Sequence, residues 1–380
     1  MKKRILIATG IFPPEIGGPA TYALLLARHL SRNHKVTVLT FGGEKHARED
    51  FNLVYVSRIW PKGLRHLILL VKLFVLTPGH DVIFALNAVS VGWPSSIAAR
   101  VYKKKFVVKI VGDYAWETAM NRGQTHLLID EFQNSPKTGK IRRLDRIQRR
   151  ICRQADTVIA PSEYLAGIVR DWGVRLEKIK IIYNGVDVPN VVDRQEAKNK
   201  IGIAGNIILS VGRLVPWKGF KMLIKIMPKL LEINQFFTLV VVGDGPEKSI
   251  LESMVKNLGL SRKVHVVGRK NKEQLVDYLA AADIFVLNTS YEGFSHQILE
   301  AMGAGLPIVT TGVGGNKEVI HQGENGFMVK YNDEFNLVEA IKTIWTVPEI
   351  RERFIEEGKK TIEKFSSKKM ISETTQILTR

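Results

Sequence analysis

Residues 284–307 read IFVLNTSYEGFSHQILEAMGAGLP and combine a strand, a loop and a helix in one short stretch. The apolar run 284–287 predicts a buried strand. Gly293 bends the chain, and the residues from there to Ala304 favour a helix. Because ligands in open α/β sheets bind beyond the carboxyl ends of the strands, this loop is predicted to face a ligand.

Two glutamates in this stretch stand eight residues apart. The amides of Phe294, Ser295 and His296 would present donors and the positive end of a helix dipole to a diphosphate. Glu300, about two turns into the helix, would accept hydrogen bonds from a ribose diol, and Glu292 would reach a sugar. A capped helix with two solvated carboxylates is the alternative that this spacing also allows.

Short apolar runs alternate with helical stretches along the whole chain, which predicts parallel sheets buried between helices. The length of 380 residues suits two α/β domains. The turn-rich segment 184–189, NGVDVP, marks their boundary. We therefore expect two Rossmann-like domains, 1–184 and 185–360. The amphipathic tail predicts a helix over 361–380 that packs back on the first domain. The predicted strands are 4–9, 36–40, 53–56, 82–86, 106–110, 157–160, 179–182, 207–211, 239–242, 264–267, 284–287, 308–310 and 327–329.

The segment 210–219, SVGRLVPWKG, runs from a predicted strand into a loop flanked by glycines. Arg213 offers a planar guanidinium fork and Lys218 a mobile point charge, a pair suited to neutralising a leaving diphosphate. Two ordinary surface cations beside a turn are the alternative. Both this loop and the Glu292 loop follow strands of the same predicted sheet, which favours a shared site.

The segment 12–22, FPPEIGGPATY, follows the first predicted strand. The paired Gly17 and Gly18 would let backbone approach a phosphate or a sugar closely, although a simple turn explains them as well. No G-x-G-x-x-G and no G-x-x-x-x-G-K-[ST] motif occurs, which disfavours a nicotinamide or P-loop site.

The net charge of +19 is unevenly distributed. Residues 1–190 carry 30 Lys and Arg against 15 Asp and Glu, whereas residues 191–380 carry 26 against 22. Such a field attracts a phosphorylated acceptor, an anionic membrane or nucleic acid. Segment 137–153 holds eight basic residues and Asp145, in a helical pattern that suits either a membrane surface or an ordinary solvated helix. No zinc finger or aromatic RNA platform accompanies it, so we expect no nucleic acid.

Other features indicate a cytoplasmic protein. Cys152 is the single cysteine, and no Cys/His cluster has the spacing of metal ligands. The apolar run 5–8 is too short for a signal peptide and predicts a first strand. The apolar stretch 67–76 contains Lys72 and is about half the length of a membrane-spanning helix, so we expect at most peripheral contact with the inner face of a membrane.

Taken in order, these segments resemble the family 4 retaining glycosyltransferases of the GT-B fold, whose E-x7-E element matches Glu292 and Glu300. The resemblance implies that Arg213 and Lys218 stabilise the donor diphosphate and that Glu300 holds the ribose. It also implies that Glu292 contacts the sugar and phosphate together with the backbone amides of residues 293–296, of which Gly293 is the first. The resemblance makes 1–184 the acceptor-side domain and 185–360 the donor-binding domain, with a cleft between them. Gly17 and Gly18 would reach across this cleft from the acceptor-side domain. The segment 241–246 also resembles the family, and we interpret it as scaffold.

One position departs from the family pattern. Many relatives have a sugar-contacting histidine after the strand that here is 106–110, and this chain has Asp113 nearby instead. A carboxylate can bind a sugar hydroxyl or support positive charge at the anomeric carbon, but it cannot donate as neutral imidazole does. An aspartate capping the following helix is the alternative interpretation.

The resemblance implies transfer of a sugar from a nucleoside diphosphate to an acceptor hydroxyl with retention, in the synthesis of a cell-surface glycan or glycolipid. The acceptor would be a carbohydrate or lipid-linked. Because Arg213, Lys218 and helix amides would supply the positive charge and no D-x-D motif occurs, we expect no metal and no other cofactor. Two rival functions are a sugar-nucleotide epimerase on the same fold and a non-catalytic protein that binds an anionic polymer or a membrane.

Overall fold

The computed structural model describes residues 2–15, 17–42, 49–187 and 192–380. The chain forms two compact units. Unit 1 comprises Met1–Tyr183 together with Lys368–Arg380, and unit 2 comprises Asn184–Ser367. Each unit is built on a parallel sheet of its own. The end of the predicted boundary segment, 188–189, lies outside the described residues.

Unit 1 contains a seven-stranded sheet in the order β3-β2-β1-β4-β5-β6-β7. Every neighbouring pair in it is parallel. Its strands are β1 Arg4–Thr9, β2 Lys35–Phe41, β3 Asn52–Val56, β4 Val82–Ala85, β5 Lys105–Lys109, β6 Thr157–Ala160 and β7 Ile179–Ile181. Its helices before residue 183 are α1 Gly18–Ser31, α2 Lys62–Leu76, α3 Gly92–Val101, α4 Tyr114–Asn121, α5 Ile129–Asn134, α6 Gly139–Gln154 and α7 Glu163–Asp171.

Unit 2 contains a six-stranded sheet in the order β10-β9-β8-β11-β12-β13, again parallel throughout. Its strands are β8 Asn206–Val211, β9 Phe237–Val242, β10 Val264–Val266, β11 Ile284–Leu287, β12 Ile308–Thr311 and β13 Phe327–Val329. Its helices are α8 Arg194–Ile201, α9 Phe220–Ile233, α10 Lys248–Asn257, α11 Lys272–Ala281, α12 His296–Gly303, α13 Glu334–Thr346 and α14 Pro348–Ile362.

The predicted fold class is confirmed: both sheets are parallel, and every predicted strand is present within two residues of its expected bounds. The prediction succeeds because these strands are covered on both faces and so consist of apolar runs. In β1, for example, Ile5, Leu6, Ile7 and Ala8 are completely buried. Burying each such aliphatic side chain stabilises the fold by about 1.5–3 kcal/mol.

Within the segment expected to form a helix over 361–380, α14 ends at Ile362 and a separate last helix begins at Ser367. After α14 ends, residues 363–366 run against Val186, whose amide donates to the Phe365 carbonyl at 3.0 Å. The last helix, α15 Ser367–Thr379, then packs on unit 1, where Met370 and Leu378 join the core formed with α1. The Tyr22 and Thr374 hydroxyls lie 2.9 Å apart in the same interface. The final helix thus completes the core of unit 1.

The strand order of each sheet reverses at one point. In unit 1 the chain leaves in opposite directions from β1 and β4, and in unit 2 from β8 and β11. Loops that leave the carboxyl ends of such neighbouring strands diverge and form a crevice, where ligands bind in this class of fold. Among the helices of the described ranges, none has the length and apolar character needed to cross a membrane.

Candidate active site

Two loops meet at the reversal point of unit 2. One joins β8 to α9 and carries Arg213 and Lys218, and the other joins β11 to α12 and carries Glu292. The parent strands are direct neighbours, with Ile208 paired to Ile284. The two stretches that the sequence singled out are therefore adjacent in the folded unit.

Lys218 and Glu292 form an ion pair through Nζ and Oε2. Their side chains are only 11% and 12% exposed, so the pair is largely withdrawn from water. A charge pair in such surroundings interacts more strongly than one on the surface, and each partner depends on the other for neutralisation. The pair fixes a cation and a carboxylate side by side at the carboxyl edge of the sheet.

Backbone and side-chain hydrogen bonds join the two loops beside this pair. The Ser290 amide donates to the Trp217 carbonyl at 2.8 Å, and Asn288 Nδ2 donates to the Gly219 carbonyl at 3.1 Å. Gly219 has φ of 57°, and a Cβ placed on it would lie 2.3 Å from the Asn288 carbonyl oxygen. Only glycine fits this position, because both the left-handed backbone and the close approach exclude a side chain.

A third loop, which follows β12, holds the backbone of Glu292 in place. The sequence analysis did not identify this loop. The Gly315 amide donates to the Glu292 carbonyl at 3.0 Å. A Cβ on Gly315 would lie 2.3 Å from the Gly293 carbonyl oxygen. The adjacent glycines at 314 and 315 after β12 were the available signal.

The segment 241–246 supports the Arg213 loop in the same way. The Gly212 amide donates to the Val242 carbonyl at 3.0 Å, and the Leu214 amide donates to the Asp244 carbonyl at 3.0 Å. A Cβ on Gly243 would lie 1.8 Å from the Gly212 carbonyl oxygen. These contacts fit the interpretation of this segment as scaffold.

The start of α12 lies at the same edge. Ser295 is its N-cap residue, and its hydroxyl accepts from the Ile298 amide at 3.3 Å. Phe294 is buried against Phe365, with ring centroids 5.2 Å apart, and His296 is the first helical residue. The aromatic contact and the cap fix the positive end of the helix dipole next to Glu292.

Glu300 lies on α12 in a partly buried position. Its carboxyl forms no hydrogen bond or ion pair with any residue in the described part of the chain. Burial raises the pKa of Glu300 to about 7, and the charge of Lys272 offsets part of this rise. An acidic group that loses hydration without gaining a protein partner is suited to accept hydrogen bonds from a bound ligand.

Arg213 is exposed, and its guanidinium forms no hydrogen bond or ion pair among the residues that the structure describes. Its carbonyl accepts from the Val215 amide at 2.9 Å, which holds the backbone of the loop in a tight turn. The guanidinium is therefore available to a ligand, in contrast to the paired ammonium of Lys218.

Asp113 lies in unit 1, after β5, and is completely buried. Its carboxylate accepts from the amides of Ala115 and Trp116 at 2.9 and 3.0 Å, which caps α4. Gln133 and Gln148 donate to it through Nε2 at 2.7 and 2.8 Å. The two amide contacts are those of a helix cap, and the two glutamine side chains donate to the same carboxylate.

Gly17 and Gly18 also lie in unit 1, after β1. Gly17 is the N-cap residue of α1 and Gly18 its first residue. A Cβ on Gly17 would lie 3.0 Å from Cδ1 of Ile11. Unit 1 thus contains Gly17, Gly18 and Asp113, whereas unit 2 contains the other predicted site residues. Within the described ranges, no three His, Cys, Asp or Glu side chains are grouped so as to hold a metal ion.

Two glycosyltransferase family models match the two halves of the chain. The model described as Glycosyltransferase Family 4 matches residues 16–189, and the model described as Glycosyl transferases group 1 matches residues 192–361. The uncharacterized glycosyltransferase MJ1607 of Methanocaldococcus jannaschii is 27% identical, over 98% of this chain and 97% of that protein.

One further relative is named for its activity, and one similar crystal structure contains a ligand. An N-acetylgalactosaminyltransferase of Campylobacter jejuni, named for a diacetylbacillosaminyl-diphospho-undecaprenol-linked substrate, is 27% identical over 59% of this chain and 60% of its own length. The crystal structure of HepE from Anabaena in complex with UDP-glucose superposes with a TM-score of 0.80 and 21% identity, covering 99% of this chain and all of the other.

The two parallel-sheet units and the matched models together define a glycosyltransferase with the GT-B fold. The chain belongs to glycosyltransferase family 4, whose members transfer a sugar from a nucleotide sugar with retention of configuration. Of the three functions that the sequence allowed, sugar transfer is therefore the one that holds.

Proposed function

We propose that this glycosyltransferase uses a uridine diphosphate sugar and transfers its sugar to a hydroxyl of a lipid-linked, phosphate-bearing acceptor. The observation that carries the donor site is the unpaired, partly buried carboxyl of Glu300 on the helix whose N-terminus lies beside Lys218 and Glu292. The UDP-glucose held by HepE supports the choice of nucleotide. The name of the Campylobacter relative supports a diphosphate-linked lipid acceptor.

The proposed roles follow from charge and position. Arg213 and Lys218, with the amides of 293–296, bind the diphosphate and stabilise its charge as it departs. Glu300 accepts hydrogen bonds from the ribose hydroxyls, and Glu292 positions the transferred sugar. The backbone of Gly17 and Gly18 contacts the donor, a role that the resemblance to the family supports.

In the proposed reaction the bond between the anomeric carbon and the diphosphate oxygen breaks, and a bond to the acceptor oxygen forms on the same face. The acceptor proton moves to a donor phosphate oxygen, so no enzymic nucleophile is required. Because protein cations and a helix dipole neutralise the leaving group, we propose that no metal ion is needed.

A thermal-shift screen of nucleoside diphosphates and their sugars tests the donor site. We expect UDP and a UDP-sugar to raise the melting temperature, since a ligand that binds only the folded state stabilises it. The shift should be lost in Glu300→Ala and unchanged by a chelator. Glu273→Ala, at an exposed position in the first turn of α11, is the matched control. A shift that survives in Glu300→Ala, or collapses with chelator, contradicts the assigned site or the proposed metal independence.

The affinity for the donor should depend on pH through Glu300. Burial raises the pKa of Glu300 to about 7 in the free protein, so below that pH the carboxyl is protonated and is a poorer acceptor for two hydroxyls. We expect the dissociation constant for a UDP-sugar, whose diphosphate does not titrate in this range, to rise as the pH falls below the pKa and to level off above it. Calorimetric titrations from pH 5.5 to 8.5 measure this. Glu300→Gln should abolish the dependence, and an unchanged profile in that variant would assign it to another group.

We further propose that unit 1 associates with the surface of an anionic membrane. Exposed aliphatic side chains form one stripe along α2, at Leu64, Leu67, Val71 and Val75. Their spacing places them on one face of the helix. Such a patch on a protein surface is typical of a membrane or protein contact. Helix α3 packs against both α2 and α6 and so lies between them.

The charge of α6, on the other side of α3 from α2, favours a membrane as the partner of this stripe. On α6 the apolar side chains Ile141 and Ile151 are buried in the protein. Its apolar face is therefore an ordinary packing face, and α2 supplies the apolar contact. Six exposed cations of α6 form no ion pair in the described structure: Lys140, Arg142, Arg143, Arg146, Arg150 and Arg153. Apolar contact beside unpaired cations suits anionic lipid headgroups.

Vesicle flotation tests this surface. We expect binding to phosphatidylcholine vesicles that contain phosphatidylglycerol, and weaker binding to phosphatidylcholine alone. Val71→Glu should lower the bound fraction about tenfold, since it places a carboxylate in the apolar contact. Ile250→Glu is the control, because Ile250 is similarly exposed on a helix of unit 2. Equal loss in both variants, or no preference for anionic lipid, would argue against this membrane surface.

A further inference from the structure

A basic cavity opens at the amino ends of β5 and β6 in unit 1. Its volume is about 670 Å³, and it is lined by residues of α3, the start of β5, the end of α6 and the end of α15. The loops proposed for the donor follow the carboxyl ends of strands in unit 2, so the cavity lies outside that site. It needs an explanation of its own.

The lining of this cavity is positively charged. The stretch from Arg100 to Lys105 contributes four cations, at 100, 103, 104 and 105, and Arg380 contributes a fifth. Asp156 is the single acidic residue of the lining, and its carboxylate accepts from the Phe106 amide at 2.7 Å. Five cations against one carboxylate leave an excess of four positive charges in one concave surface. Like charges held together repel, and a bound anion relieves that repulsion.

Within the described residues, no acidic side chain forms an ion pair with any of these cations. The side chains of Arg100 and Lys103 form no hydrogen bond or ion pair with any described residue. Lys104 and Lys105 donate from Nζ to the carbonyls of Pro78 at 3.3 Å and Ile377 at 2.6 Å, contacts that carry no counter-charge. Burial lowers the pKa of Lys105, the positive charges of Lys3 and Arg380 lower it further, and the negative charge of Asp156 offsets part of this shift.

The backbone of Lys103 adopts an unusual conformation. Lys103 has φ of 50°, in the left-handed region that glycine adopts most easily. Hydrogen bonds from the Lys103 amide to the Arg100 carbonyl at 3.3 Å and from the Lys104 amide to the Ala99 carbonyl at 2.8 Å fix this turn. A lysine at a position that suits glycine retains a positive charge at a conformational cost, which is a reason to look for a function of that charge.

We propose that this cavity is a binding site for an anion that carries two phosphate groups, separate from the donor site. Each phosphate group carries about 1.5 to 2 negative charges at neutral pH, so two of them match the excess of four positive charges. Arg100 supplies a bidentate fork and the lysines supply mobile donors, the combination that binds phosphate oxygens. The phosphates come either from a soluble diphosphate or from the headgroup of a lipid.

Calorimetric titration of pyrophosphate tests the site, with the protein saturated by UDP so that the donor site is occupied. If another nucleoside diphosphate stabilises the protein better, that nucleotide replaces UDP. We expect one site in the wild type. In Arg100→Glu, which reverses a charge at the ligand, the dissociation constant should rise by about tenfold or more. Lys256→Glu is the matched control, since Lys256 is also an exposed cation in the last turn of a helix. It should bind as the wild type does.

Lys103→Gly separates binding from folding. Glycine relieves the left-handed backbone, so this variant should melt at or above the wild-type temperature while it binds pyrophosphate more weakly. Absence of pyrophosphate binding in the wild type, or wild-type affinity in both Arg100→Glu and Lys103→Gly, overturns the proposal.

Vesicles identify the source of the phosphates. Wild type and Lys103→Gly are compared on phosphatidylcholine vesicles with and without diacylglycerol pyrophosphate, a lipid whose headgroup carries two phosphates. A loss of binding to this lipid in Lys103→Gly, in parallel with the loss of pyrophosphate binding, assigns the site to a lipid headgroup. Unchanged vesicle binding together with lost pyrophosphate binding assigns it to a soluble diphosphate. Both outcomes support a phosphate site in the cavity.

Discussion

Replacing Lys218 with methionine is expected to lower kcat for sugar transfer about 100- to 1000-fold, because one charged group that stabilises the departing diphosphate is lost. The same change leaves the largely buried carboxylate of Glu292 without its cation, so the protein should also melt at a lower temperature. Steady-state kinetics and thermal unfolding on the same preparations measure the two effects.

The double variant Lys218→Met with Glu292→Gln distinguishes these effects. Removing both charges leaves no unpaired carboxylate, so the melting temperature should return toward that of the wild type while kcat stays low. Lys221→Met is the control, because Lys221 on α9 also pairs with a buried glutamate, Glu247 at the start of α10, although Lys221 itself is more exposed than Lys218. It should retain normal kcat. If the double variant recovers activity, Lys218 serves only to neutralise Glu292, and the proposed catalytic role is wrong.

Asp113→Ala should have the largest effect on stability. Its carboxylate is completely buried and accepts four hydrogen bonds, two from the start of α4 and two from Gln133 and Gln148. Removing it loses the cap and leaves buried amide donors without acceptors, which we expect to lower the free energy of unfolding by about 3–5 kcal/mol. The shift of the urea transition of the full chain measures this.

The two interpretations of Asp113 differ in a second observable. If it acts as a cap, kcat per folded molecule in Asp113→Asn should stay near the wild-type value, since the amide oxygen still accepts from the helix. If it contacts the sugar, kcat should fall even at temperatures where the variant is fully folded. Asp333→Ala is a useful reference, because Asp333 caps α13 in a more exposed position and should cost much less stability.

The fold could be predicted from sequence because its main signal is local. Parallel strands covered on both faces must be apolar along their length, so apolar runs such as 284–287 and 157–160 can be recognised as strands from the sequence. The break between α14 and α15 could not be predicted in this way. It depends on the contact of 363–366 with Val186, which is remote in sequence and leaves no periodic pattern.

Part of the candidate site was predictable for the same reason. Motifs at the carboxyl ends of β8 and β11 lie together because those strands are neighbours, and sequence suffices to place both. The Lys218–Glu292 pair and the support from Gly315 were not predicted, since they require the side chain or backbone position of a second loop. The raised pKa of Glu300 also depends on packing around α12, which the sequence does not display.

The division of unit 1 into two chain segments has a consequence for synthesis on the ribosome. Unit 2 is one continuous stretch, Asn184–Ser367, so it can complete its own sheet as soon as that stretch has emerged. Unit 1 emerges first but lacks Met370 and Leu378 until α15 has been made. The nascent N-terminal unit therefore spends the translation time of the whole of unit 2 with an apolar face of α1 uncovered. A chaperone that engages the nascent chain would have its longest opportunity to bind during that interval.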